Sequence, residues 1–158
     1  MANPFLVLGG VAVGVITAGI GVLQVPGWID SANDSAVTND LSQVALSEEA
    51  AVTVVGSYVS EDDLLSGEAN GEKTGVKFQP SSGVVTEIAL NTTEDAWAAI
   101  GVSKSGHVFV RTSDATTTYK STEKVADGAT ISADDFASLP AGVTVGGTKA
   151  APTISLAG

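Results

Sequence analysis

The chain's one imidazole, His107, follows Gly106 at the start of an apolar stretch, and Glu61, Asp62 and Asp63 form a run of three consecutive carboxylates. A histidine serves as general base or ligand only where a nucleophile and a charge-stabilising group converge on it. No other sequence feature points to such a site, so His107 reads as a surface or turn residue. The three acids offer oxygen ligands to a cation, but no spaced D-x-D-x-D-G loop follows them, and they read as a solvated loop. Residues 142–147, GVTVGG, lack the strand, glycine loop and helix that cradle a phosphate. With no cysteine, disulfides, thiolate chemistry and Cys-based metal sites are excluded. The expectation is no catalytic, cofactor-binding or metal residue, and therefore no enzyme. Two Asn-x-Ser/Thr sequons occur, Asn33-Asp34-Ser35 and Asn91-Thr92-Thr93; Asn91, in a predicted loop, is the better glycosylation candidate.

What has to be positioned is therefore a surface, and charge bounds its partners. The formal charge is -11 with only seven basic residues, which argues against nucleic acid, since phosphate neutralisation needs clustered Lys and Arg. From Met1 to Ile29 there is no charged residue at all, and Asp30 is the first. Phe5 to Val25 reads FLVLGGVAVGVITAGIGVLQV, about the length of a membrane-spanning helix. Its glycines each cost roughly 1 kcal/mol of helix propensity relative to Ala. They also let helices approach closely, with Gly10 and Gly14 on one small-residue face. The segment is expected to bury itself among copies of itself through Phe5, Leu6, Leu8, Gly10, Val13, Gly14, Ile16, Ile20 and Leu23. It has neither the basic opening nor the small-x-small cleavage site of a secretory signal, and no Lys or Arg flank of an ordinary anchor.

Pro26 and Gly27 are expected to break or kink this helix. Beyond them Val37, Leu41, Val44, Ala45, Val52 and Val55 recur at three- and four-residue steps, with Asp30, Asp34, Thr38, Ser42 and Glu49 on the other side, the pattern of an amphipathic helix ending near residues 56–59. Residues 60–74 read as a surface loop. Strands are expected at 75–79, 83–90, 97–102 and 107–112, with a short one at 116–121, a helical turn at 132–138 and late strands at 143–145 and 153–156. Alternation of Val108 and Val110 with Phe109 and Arg111 predicts a sheet covered on one face, the cover being the helix. Trp97 reads as core; Trp28 suits a membrane interface or packing between subunits. The fold class is α+β: a long N-terminal helix, apolar then amphipathic, on a small antiparallel sheet. Residues 1–28 form the apolar helix and 29–158 the head.

This organisation resembles a type IV pilin. Residues 22–51 are similar to the segment of Gram-positive, especially actinobacterial, pilin-like proteins in which an Ile/Leu-x-x-Pro element is followed by a polar spacer, Val-x-x-Asp-Leu and a Glu-containing turn, here Pro26, Val37, Asp40, Leu41 and Glu48 or Glu49. FQPSSGVV at 78–85 and IGVSKSGHVFVRT at 100–112 resemble strands and turn of the same heads. The resemblance implies a pilin-like homopolymer: a cell-surface filament subunit, held in the cytoplasmic membrane before assembly by separate pilus machinery, without cofactor. Family members match the mature N-terminal amine with a Glu at the fifth position of a neighbour. Here that position is Gly9 if Pro26 is aligned, or Phe5 counted from Met1, so the amine is expected to reach solvent or headgroups, or to be modified. The same physics would serve a pseudopilus or a filamentous virus coat, and a monomeric membrane-anchored surface domain binding a partner through its loops is the other reading.

Overall fold

The computed structural model describes residues 4–157, with side chains for residues 27–157. In chain order the elements are α1 (Pro4–Val55), α2 (Glu61–Ser66), β1 (Glu68–Ala69), β2 (Glu72–Lys73), β3 (Val85–Leu90), β4 (Trp97–Val102), β5 (Val108–Thr112), β6 (Tyr119–Lys120), a 3-10 turn (Ala133–Asp135), β7 (Val143–Thr148) and β8 (Ala151–Leu156). The protein is α+β, one long helix with small antiparallel sheets. The assembly residues Phe5, Leu6, Leu8, Gly10, Val13, Gly14, Ile16, Ile20 and Leu23, and Pro26 of the expected break, lie outside the residues whose side chains are described. Gly27 is helical and exposed.

The inward stripe of α1 behaves as its periodicity predicts. Val37, Leu41, Val44 and Ala51 are fully buried against Ile88, Trp97, Ala99 and Phe109, each large side chain contributing about 1.5–3 kcal/mol by leaving water. The helix stops at Val55, where Gly56 takes φ +85 and returns its N–H to the Val52 carbonyl at 2.9 Å, a left-handed cap that glycine enters at no steric cost.

β3, β4, β5 and β6 form one antiparallel meander, with Ile100 opposite Glu87 on one side and Val110 on the other. Its second face is covered too, contrary to the expectation of a half-solvated sheet. Trp97 and Ala99 point toward α1, whereas Ala98, Ile100 and Val102 point away, as strand geometry requires. The latter join Val108 and Val110 in a second core closed by Val125, Ile131, Phe136, Val145 and Ile154. The cover is the β7–β8 hairpin with the chain leading to it, so all six residues of β4 are buried. Residues 60–74 are not one loop: they hold α2 and the β1–β2 hairpin. Residues 75–79 form no strand; instead Phe78 is buried and donates its N–H to Leu64 at 2.9 Å.

Helix and sheet meet tightly at Gly101, where an added Cβ would lie 2.5 Å from Val37 Cγ1. Because α1 cannot yield there without lifting from β4, Gly101→Ala is expected to cost about 1–3 kcal/mol in denaturant unfolding of the full chain.

Candidate functional site

Between Gly27 and Val55, α1 carries five charges, Asp30, Asp34, Asp40, Glu48 and Glu49. Four of the five turn toward the head. Asp30 pairs with Lys124 at 2.5 Å. Asp40, fully buried, accepts the Ser81 N–H and hydroxyl, each at 2.7 Å, and so fixes the segment before β3. Glu48, also fully buried, accepts the Val59 N–H at 3.0 Å. Asp40 and Glu48 stand one and two helical turns from core residues Val37 and Leu41, and an acid on the buried stripe is the signal that marks such anchors.

Asp34 collects three partners. Lys120 Nζ lies 2.8 Å and His107 Nδ1 3.0 Å from its Oδ2, and the Ser105 hydroxyl donates to Oδ1 at 2.5 Å. Ser, His and Asp thus meet at the helix-to-sheet junction, but not as a nucleophilic triad. Ser105 Oγ approaches the same ring nitrogen, Nδ1, at 3.1 Å, whereas activation of a hydroxyl requires it at one nitrogen and the carboxylate at the other. The cluster is a fastening between α1 and the turn before β5. Burial pushes the Asp34 carboxyl up, but hydrogen bonds from Lys120, Ser105 and Ser103 and the charge of His107 outweigh this and hold it below its ordinary value of 3.8. A depressed carboxyl stabilises the fold above that value and loses the contribution as pH falls through the folded-state pKa. Asp34→Asn is therefore expected to lower stability at neutral pH by on the order of 1 kcal/mol or less, given the solvent screening of Asp34. Thermal unfolding should show the two proteins converging in acid.

The outward face of α1 is the complement of this inward charge. Trp28, Ala32, Ser35, Asn39 and Thr53 are exposed and uncharged, and Glu49 is the exposed acid on this side, with Leu46 at 71% and Trp28 at 68% exposure. Trp28 and Leu46 stand about five turns apart on one line. Ser31, Ser35, Thr38, Ser42 and Thr53 each return their hydroxyl to a carbonyl one turn back, at 2.8–3.1 Å. Covering these hydroxyls with a second surface strands no donor. No family model, curated protein or solved structure matches the chain. Beside the stripe, a groove of about 390 Å³ runs between Ser42, Ala45, Leu46 and Glu49 of α1 and Arg111 to Thr116. Arg111 donates to Ser42 Oγ at 3.0 Å but forms no ion pair among the described residues.

The other sequence candidates are dispersed. Glu61 accepts from Thr86 of β3 at 2.7 Å and Asp63 from Ser60 at 2.8 Å. The three acids are the first turn of α2, where negative charge complements the helix N-terminus. Among residues 27–157 no group of His, Cys, Asp and Glu is arranged to hold a metal, and no helix is long and apolar enough to cross a membrane. Asn91 organises its own loop: Nδ2 donates to Thr93 Oγ1 at 2.9 Å and Asp95 Oδ1 at 2.6 Å, and Oδ1 accepts the Asp95 and Ala96 N–H groups. A glycan on Asn91 would have to displace those Nδ2 bonds.

Proposed function

We propose that the protein is the structural subunit of a pilin-like surface filament, polymerising through its N-terminal helix without cofactor or catalysis. The observation that carries this reading is the sorting of charge on α1. In a chain of net charge -11, four of the five acids between residues 27 and 55 bond to the head, and the opposite face presents Trp28, Leu46 and back-bonded hydroxyls. In sequence this stretch follows the uncharged segment 1–29. A helix that met only water would gain nothing by keeping all but one charge, that of the exposed Glu49, off this side, since exposed Glu and Lys pairs stabilise isolated helices. A helix that packs against copies of itself avoids desolvating charge.

In this reading residues 5–25 form the filament core, the outward stripe of α1 extends the contact, and the acidic heads coat the outside. Before assembly the apolar segment holds the subunit in the cytoplasmic membrane, and separate machinery extracts it. Burial of the apolar segment among neighbours, at about 25 cal/mol per Å², would offset the ordering cost of association. Differential centrifugation of material sheared from cells tests the reading against a membrane-anchored monomer. A filament subunit pellets as fibres. An anchor stays with the membranes and, once extracted in detergent, elutes as a single subunit.

A further inference from the structure

The elbow between the two helices includes one unusual bond. After Val55 the chain turns through Gly56, donates the Tyr58 N–H to the Glu94 carbonyl at 3.0 Å and the Val59 N–H to Glu48 Oε2 at 3.0 Å, and enters α2 through the Ser60 cap. Glu48 is 0% exposed. Among the described residues its second oxygen, Oε1, is buried without a hydrogen-bond partner, and no Lys, Arg or His lies within ion-pair distance of either oxygen. The ionisable groups facing it are all acids: Asp63 from α2, Glu49 from its own helix, and the Tyr58 phenol of the elbow.

A buried carboxylate with no cation, one hydrogen bond and acidic neighbours is in the setting that charge tolerates least. A carboxylic acid meets the same contacts at far lower cost: Oε2 still accepts from Val59, and the proton rests on the unpartnered Oε1. We infer that Glu48 is a proton-operated latch, which in its neutral form fastens residues 56–60 to α1 and on ionisation releases them.

The direction of the titration agrees, since burial, with the charges of Asp63 and Glu49, outweighs the Val59 hydrogen bond and pushes the carboxyl up from 4.5 to about 7. An acid whose folded-state pKa is raised contributes its full stabilisation below 4.5. That stabilisation declines as pH climbs toward about 7 and is gone above it. Latch release is therefore a response to alkalinity within the neutral range, and it acts on the joint by which α2 and the β1–β2 hairpin hang from α1.

The test uses the full chain in detergent, labelled with ¹³C at Glu carboxyls. The expected result is one resonance titrating with a midpoint near 7, absent in Glu48→Gln. Amide exchange of residues 56–60, corrected for its intrinsic pH dependence, should accelerate between pH 5 and 8 by roughly tenfold or more, the equilibrium weight of one pH unit. Glu48→Gln keeps an acceptor for Val59 and cannot ionise, so its corrected exchange should be flat with pH. If Glu48→Gln does not fold, the wild-type resonances and exchange profile decide alone. A full set of Glu midpoints near or below 4.5, or corrected exchange indifferent to pH in the wild type, overturns the latch.

Discussion

Leu46→Asp is expected to raise the concentration at which the full chain forms fibres by at least about tenfold, equivalent to about 1.4 kcal/mol, while leaving the subunit's own stability within about 0.5 kcal/mol. The two halves of this result have separate causes. Leu46 is 71% exposed, so within one subunit a carboxylate there remains in water and loses almost no packing. Against a neighbouring helix the same carboxylate must be desolvated, at several kcal/mol for a buried unpaired charge. The readout is light scattering or pelleting as detergent is diluted, beside thermal unfolding in detergent. Unchanged assembly would remove the outward face from the interface. Loss of assembly together with loss of fold would mean that Leu46 acts within the subunit.

Leu41→Ala is expected to do the reverse, costing the subunit about 2–5 kcal/mol of stability. Leu41 is 0% accessible, between Val37 and Val44 on the stripe that meets Phe109 and Trp97. Its removal leaves a void that β4 cannot fill, because Ala98, Ile100 and Val102 of the same strand are committed to the second core. Against a total stability of roughly 5–15 kcal/mol for a typical domain, this is a large fraction, and denaturant titration would register it. A cost below about 1 kcal/mol would show that helix and sheet are not jointly packed there.

How far the fold was legible in the sequence depended on how many faces of each element are buried. The inward stripe of α1 was legible because Val37, Leu41 and Val44 repeat at helical spacing. β4 was legible in extent, Trp97–Val102, but not in its setting. WAAIGV is an unbroken apolar run, the mark of a strand covered on both sides; alternation in β5 pointed the other way because Arg111 reaches the edge at Ser42. The second cover, β7–β8, is built from Gly, Ala, Pro and Thr, residues with little hydrophobic pattern to read. α2 hid in an acidic stretch, although Ser60 followed by Asp63 is a capping signal and the Ser60 hydroxyl accepts the Asp63 N–H.

The candidate surface was legible only in part. The charge-free run to Ile29 is plain in the sequence, yet Asp34 and Ser42, read as solvent-facing, engage the sheet, and the buried roles of Asp40 and Glu48 depend on Ser81 and Val59. Their place on the buried stripe marks the two acids as anchors, but which groups they meet, 11 and 41 residues along the chain, follows from no local period.

The central claim is that this chain is the repeating unit of a fibre. Negative-stain microscopy of material sheared from cells with and without the gene, with peptide mass spectrometry of the purified fibres, tests it most directly. The expected result is fibres that contain this chain as a structural component and disappear on deletion. Fibres unaffected by the deletion, with none containing the protein, would contradict it.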